Sequence, residues 1–402
     1  MPPASHEQSK DVARAFVHAE SCDSEHKWLH SHIDPDHVSK KSISPPSVRC
    51  GVSLGILPFA SAGVDVCDTL NRMIADFSLL TPECVLDAVE RAAGQRCTGV
   101  IRPLPSYINR VYCVEMDSGE QLVAKFYRPG RWSRAALQDE HDFVSACAEV
   151  EIPVIAPLRM AEGNTLGDAE GYAFAVFPKR GGRPIEPADP GHEMWGRLGA
   201  LVARVHAVGA RAPAPARITL GPYTSAAADL DYLIDGGFLD AREAQRLEAF
   251  GHALLDGVAP LFEGTERIRL HGDCQHTNVL ERPETGLFLI DFDDMMNGPP
   301  VQDLWMLLPG RAADAGEELE QLLEGYETFR TFDRRSLALI EPLRAMRMIY
   351  YLAWCARQSH DAAFQQNHPD WGSRAFWSKE LADLEEQLAV IRDESQTGNE
   401  VF

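Results

Sequence analysis

No stretch of this 402-residue sequence supplies the roughly 20 consecutive apolar residues that a helix needs to cross a bilayer. The best candidate, residues 52–64, is short and broken by Pro58, and it lies too far inside the chain, behind acidic residues, to serve as a secretory leader. Basic residues are in short supply: 38 Lys and Arg stand against 60 Asp and Glu, a formal net charge of -22. Such a chain repels a phosphate backbone, which excludes general binding to nucleic acid or to an anionic membrane. The nine cysteines are scattered, odd in number and contain no C-x-x-C pair, so neither a zinc ribbon nor a disulfide framework is expected. Reduced thiols in a cytoplasmic protein are the reading that follows. A hydrophobic content of 45% rules out a disordered or collagen-like chain and is ample for sizeable cores.

The composition changes near residue 75. Before it, six histidines crowd the first 37 positions among prolines and serines, with no helical or strand periodicity. Residues 1–75 read as a poorly structured extension. Residues 1–72 are expected to be dispensable, with Met73 the natural initiator. Order is expected from Thr81, an N-cap residue followed by Pro82, an apolar stripe of Val85, Leu86 and Val89, and Gly94 as a stop. Two strands, 110–116 and 121–127, flank a turn at 117–120, and alternation puts Val123, Lys125 and Tyr127 on one face and Leu122, Ala124 and Phe126 on the other. A helix over 134–148 carries Glu140, a strand follows at 172–177, and residues 179–183 read as a linker. Beyond it helical spacing dominates, notably from Met194 to Val205 and from Leu343 to Ala356. A strand-rich part followed by a helix-rich part predicts an α+β fold of two lobes with a cleft between them: 76–180 and 181–402.

The strongest chemical signal is His271-Gly272-Asp273 with Asn278 five residues after the aspartate, followed by an apolar strand ending in Ile290-Asp291-Phe292-Asp293-Asp294. Phosphoryl transfer needs a carboxylate to orient the attacking hydroxyl and accept its proton, and oxygen ligands to hold magnesium on the phosphates. Asp273 fits the first task. Asn278 offers a neutral oxygen and Asp291 an anionic one to the same centre, with Asp293 assisting. His271 is expected to fix the loop by hydrogen bonding, Asp303 to brace backbone amides or cap a helix, and His206 to be a satisfied core histidine.

His-Gly-Asp-x-x-x-x-Asn followed by Ile-Asp-Phe-Asp resembles the aminoglycoside phosphotransferase and choline kinase superfamily, relatives of the protein kinases. Within it, the stretches Ser106 to Tyr112, Lys125 to Trp132, Phe174 to Pro178, Asn297 to Leu308 and Glu341 to Arg347 look like those of the bacterial stress-response kinases, from about residue 76 onward. The resemblance implies a two-lobed protein-kinase-like fold and a cytoplasmic Ser/Thr protein kinase that uses ATP and Mg2+. Asp273 would be the proton acceptor and Asn278 and Asp291 the metal ligands. Ser106 would touch ATP from the phosphate-covering loop, Lys125 would hold the α- and β-phosphates, Glu140 would pair with Lys125, and Phe177-Pro178 would form the hinge beside adenine.

Two departures stand out. The loop from Pro103 to Arg110 has no Gly-x-Gly-x-x-Gly, so covering the phosphates falls to Ser106, Asn109 and backbone amides. The carboxyl-side motif ends in Asp293 rather than Gly. The expected partners are ATP and a protein substrate, with the chain itself a monomer. The catalytic motif alone also suits a kinase of an amino sugar, choline or an amino-acid alcohol, and a nucleotide-binding regulator without turnover is a third reading. Lys125, Asp273, Asn278 and Asp291 together argue against that third reading.

Overall fold

The computed structural model describes residues 77–106, 108–185, 192–283 and 286–398. The expectations for residues 1–72 and for Met73 lie outside these. The first helix, α1 (Pro82–Ala93), begins where the Thr81 hydroxyl accepts the Cys84 N–H at 3.2 Å and stops at Gly94 in the left-handed region. Its stripe of Val85, Ala88 and Val89 is buried against Leu122, Ala124 and Phe126 of the sheet. Each large aliphatic side chain so buried contributes about 1.5–3 kcal/mol.

Strands β1 (Cys97–Leu104), β2 (Arg110–Met116) and β3 (Gln121–Phe126) lead into α2 (Arg134–Glu149), and β4 (Gly167–Ala169) and β5 (Tyr172–Pro178) complete an antiparallel sheet in the order β1-β2-β3-β5-β4. The β2–β3 hairpin matches the predicted pair, with Val111 opposite Lys125. Strand β1 has no counterpart among the sequence expectations. It lies at the sheet edge, five of its eight residues are exposed, and Gly99 and Pro103 interrupt its alternation, so the usual period-two signal is missing. At the end of the predicted linker begins a short strand, β6 (Arg183–Pro184), which pairs with Glu281 and Leu280 of the second lobe.

That lobe is mostly helical. It contains α3 (His192–Gly209), α4 (Ala227–Asp235) and α5 (Ala241–Val258), then β7 (Ile268–Leu270), β8 (Val279–Arg282), β9 (Gly286–Leu289) and β10 (Met296–Gly298), then α6 (Val301–Trp305), α7 (Gly316–Glu327), α8 (Ile340–Gln358), α9 (Ala362–Asn367) and α10 (Arg374–Gly398). One large core joins these helices and also takes in Phe143, Val144 and Cys147 of α2, so the helix that follows the first hairpin anchors the small lobe to the large one. Helices α3 and α7 lie unusually close. A Cβ on Gly199 would overlap the Leu322 carbonyl, and one on Gly325 the Gly196 carbonyl, so only glycine lets these two backbones meet. The two-stranded β7–β10 ladder and the β8–β9 hairpin present the loops that carry His271 to Asn278 and Ile290 to Asp294 at one place between the lobes.

No helix among the described residues is long and apolar enough to cross a membrane. The six cysteines within them are free thiols.

Candidate active site

The loop expected to be catalytic starts where β7 ends. Both oxygens of Asp303, on α6, accept backbone N–H groups from the loop: Oδ2 from His271 at 2.8 Å and Oδ1 from Gly272 at 2.9 Å. Asp303 therefore braces amides, as expected. It also receives His206 Nε2 at 2.9 Å, and the other ring nitrogen of His206 meets Tyr326 Oη at 3.0 Å, so His206 is a satisfied core histidine. Burial works to raise the Asp303 carboxyl, but the hydrogen bonds and charge of His206, with help from Gly272 N–H, hold it below the usual carboxylate range. His271 fixes the loop from the other side, its Nε2 2.8 Å from the carbonyl of Ile290. Gly272 is required by this packing: its φ is +86°, and a Cβ would overlap the Asp294 carbonyl.

The brace delivers Asp273 into the cleft. Its Oδ2 accepts Nδ2 of Asn278 and Nε2 of Gln275, both at 3.1 Å, and its Oδ1 accepts Nη2 of Arg347, on α8, at 2.8 Å. Burial pushes the Asp273 carboxyl up, and Arg347 pulls against it. A second bond, from Asn278 Nδ2 to the Asp273 carbonyl at 2.8 Å, leaves Asn278 Oδ1 buried with no hydrogen bond.

Asp291 follows β9 and takes φ +59°, a conformation that turns the chain sharply. Its Oδ1 lies 2.8 Å from Lys125 Nζ, which also approaches Asp293 Oδ1 at 3.2 Å. The other oxygen of Asp293 holds Arg131 Nη1 and Asn109 Nδ2, and Asp294 holds Arg131 Nη2 at 2.7 Å. Burial opposes ionisation of Asp293, but Lys125, Arg131 and Arg217 outweigh it and drive its carboxyl well below the usual range. Among the described residues no three His, Cys, Asp or Glu side chains converge as a ready metal centre. The expected magnesium ligands nonetheless suit a hard cation: every donor is oxygen, Asn278 Oδ1 is an orphaned buried acceptor, and Asp291 and Asp293 turn anionic oxygens to one cation, Lys125.

Ser106, Lys125, Glu140, Phe177, Pro178 and Asp291 line a narrow cavity of about 90 Å³ between the lobes. Asn109, expected to help cover the phosphates, lies close to the acidic loop. Its amide is buried and taken up by Asp293 on one side and by Arg128 N–H, at 3.1 Å, on the other, so it braces the acidic loop. Glu140, expected to pair with Lys125, gives its Oε2 to Arg217 at 2.5 Å. Arg217 explains this: it reaches the Ala136 carbonyl, the Asp293 carbonyl and the Glu140 carboxylate at once, tying α2 to the metal loop. Burial pushes the Glu140 carboxyl up to about 8, while Arg217 pulls it down.

Arg131, Arg217 and Arg347 are the side chains that the sequence left without roles. Arg131 and Arg347 fall inside stretches noted for their resemblance, but an arginine's partner is not written in its neighbours. Beyond Arg347 opens a second cavity of about 610 Å³, bordered by the segment from Arg128 to Trp132, by the start of α4 and by α8.

Comparison with known proteins agrees with this geometry. A family model described as the phosphotransferase enzyme family matches residues 100–340. Stress response kinase A of Escherichia coli (strain K12) is 38% identical over 332 residues, covering 81% of this chain and 97% of that protein. A protein of Salmonella typhimurium named serine/threonine protein kinase RdoA is 36% identical over 325 residues, with the same coverage. Among solved structures, the amicoumacin kinase hAmiN in complex with AMP-PNP and Ca2+ is similar with a TM-score of 0.60 at 17% identity, over 77% of this chain and 95% of that one. A microcompartment-associated aminopropanol kinase is similar with a TM-score of 0.56 at 18% identity, over 79% and 98%. These structures establish the two-lobed kinase-like fold.

Proposed function

This chain belongs to the phosphotransferase enzyme family, and from that premise we propose that it is an ATP- and magnesium-dependent serine/threonine protein kinase of the stress-response type. The observation that carries the phosphotransfer is the meeting of Asp273, Asn278, Asp291 and Lys125 where the lobes face each other, although they come from three separate stretches of sequence. The protein acceptor is supported by the relatives named stress response kinase A and serine/threonine protein kinase, which match nearly their whole lengths. Lobes divided near residue 180 and a cytoplasmic location belong to the same reading.

Asp273 receives the proton of the acceptor hydroxyl. Arg347, Gln275 and Asn278 fix the carboxylate in the plane it needs for that transfer. Lys125 holds nucleotide phosphate oxygens, exchanging its present carboxylate partners for them, and Ser106 covers the phosphates from the loop before β2. Phe177 and Pro178 border the adenine end. A magnesium ion held by Asn278, Asp291 and Asp293 would neutralise charge on the transferring phosphoryl group. Glu140 and Arg217 act one step back, fixing α2 against the acidic loop.

A kinase of a small alcohol is the second reading, and the 610 Å³ cavity favours it, because a concave site of that size falls in the range of small-molecule pockets. Labelled ATP supplied with magnesium, a set of proteins and a panel of small alcohols separates the two. Labelling of protein Ser or Thr is the expected result. Fast, saturable transfer to a small alcohol with no protein labelled would overturn the protein-kinase assignment.

A further inference from the structure

The larger cavity is rich in hydrogen-bond donors. Arg128, Arg131, Arg347 and Arg357 line it, and Asp229 is the one acidic side chain among its lining residues. Arg128 meets Asp361 through Nη2 at 3.1 Å and the Ile108 carbonyl through Nε, and Arg357 meets Asp229 through Nη2 at 2.6 Å. A guanidinium carries five N–H donors in a planar fork, so both retain donors for a further anionic oxygen. Trp132 Nε1, in the same wall, is a buried donor with no hydrogen-bond partner. Gln358, only 7% exposed, likewise has an unpartnered Oε1, an acceptor suited to a ligand O–H or N–H.

Aromatic side chains in such a cavity would ordinarily suit a cationic ligand. Here the protein's own cations cover two of the three: Arg217 and Arg131 lie 4.2 and 5.8 Å from the Trp132 ring centre, and Arg347 lies 5.0 Å from that of Tyr350. At those two rings an incoming ammonium would meet guanidinium charge. Arg347 then links this wall directly to Asp273.

We propose that this cavity selects an acceptor carrying an anionic group, a carboxylate or phosphate, beside its reacting hydroxyl, with Arg128 and Arg357 as the residues that recognise it. Resting on the protein-kinase reading, the acceptor is a Ser or Thr flanked by Asp, Glu or a phosphorylated residue. The selection is local. The chain as a whole, at -22, would draw a basic partner through its long-range field, so a preference for acidic acceptors would come from these guanidiniums.

The test uses the full chain with Mg-ATP and three Ser peptides alike except for acidic, neutral or basic flanks, together with glycerate and ethanolamine as small alcohols. The acidic peptide should exceed the basic one in kcat/KM by about tenfold or more, the worth of one charge-assisted hydrogen bond. Arg357→Glu should remove that advantage mainly through KM, and Arg357→Lys should restore part of it. The Arg357 side chain is 41% exposed, so the change is compatible with folding, and Arg128→Gln provides a second variant. Equal or better use of the basic peptide or ethanolamine would overturn the proposal while leaving a protein kinase intact. Use of glycerate with no peptide labelled would support anionic selection and overturn the protein-kinase reading. Labelling of neither the acidic peptide nor glycerate would overturn the proposal outright.

Discussion

The cavity beside Lys125 is narrow, about 90 Å³, lined largely by apolar side chains, and it is bridged by one lysine and two aspartates; the cavity beside Arg347 measures about 610 Å³ and is walled by arginines and indoles. The first is assembled from the β2–β3 hairpin, β5 and the loop after β9. The second draws on the segment after β3, on α4 and on the long helix α8. In the narrow cavity Lys125 is paired with Asp291, Glu140 with Arg217, and His141 with Tyr127 and Thr165, so on the proposed reading nucleotide and metal would compete with existing ion pairs. Groups in the wide one keep unused donors. On the proposed reading, the donor side depends on a few tightly coupled charges and acceptor choice on Arg128 and Arg357, whereas Arg131 and Arg347 of the wide cavity's wall are tied to Asp293, Asp294 and Asp273.

Removing the proposed proton acceptor, which Arg347 of the wide cavity's wall holds, should have the largest effect. Asp273→Ala is expected to lower phosphoryl transfer by roughly 10²- to 10⁴-fold, the range for a positioned general base, while nucleotide affinity stays within a few-fold. Steady-state transfer and calorimetric titration with Mg-nucleotide, read together, give the answer; undiminished turnover would remove Asp273 from the mechanism. Next comes a change confined to the narrow cavity. Asp291→Asn keeps a side chain that tolerates positive φ but removes a charge, and should weaken magnesium-dependent nucleotide binding by about tenfold to a hundredfold. Binding unchanged with magnesium would show that Asp291 is not a metal ligand.

Gly272→Ala sharpens the comparison differently, because it moves the loop that leads into Asp273. Adding a Cβ at φ +86° costs about 1–2 kcal/mol in backbone strain alone, and its overlap with the Asp294 carbonyl forces the catalytic and acidic loops apart. A melting temperature lower by several degrees and loss of transfer to every acceptor are expected. A variant that melted and turned over like the parent would mean that the loops are not in contact.

The smallest effect concerns the wall of the narrow cavity and is visible only in acid. His141 is held between Tyr127 Oη at 2.8 Å and Thr165 Oγ1 at 2.9 Å, and burial, reinforced by Lys125 and Arg217, lowers its pKa to about 3. A depressed folded value means that the unfolded chain takes up the proton first. The stability contributed by the neutral ring is full above about 6.5 and falls as pH drops toward about 3. By pH 5 that loss amounts to about 2 kcal/mol. His141→Gln, which cannot gain a proton, should therefore lose less melting temperature than the parent between pH 7 and 5. Parallel curves would show that His141 is not protonated on unfolding in that range.

Much of the small lobe was legible because its signals are local. Thr81, Pro82 and Gly94 bound one helix by capping chemistry, and alternation about the 117–120 turn placed Lys125 on the cleft face of β3. Strand β1 escaped because an exposed edge strand has no buried face to impose a pattern. The catalytic loop was equally plain, since Asp273 and Asn278 lie in one short stretch and meet through a hydrogen bond only five residues apart. Glu140 was legible as a cleft residue, but neither its partner nor that of Asn109 is written in the sequence. Arg217, 77 residues beyond Glu140, takes its carboxylate, and Asp293, 184 residues beyond Asn109, takes its amide.

The sequence by itself determined the reaction class and the order of the two lobes, because those depend on residue types at fixed short spacing. Tertiary structure alone decided which cation answers each carboxylate: Lys125 meets Asp291 across 166 residues and Arg347 meets Asp273 across 74. The reason is physical. A cap, a turn or a strand face is fixed by torsions and neighbours within a few residues, whereas an arginine on a long side chain can reach any acid that folding brings near, and sequence spacing carries no record of that approach.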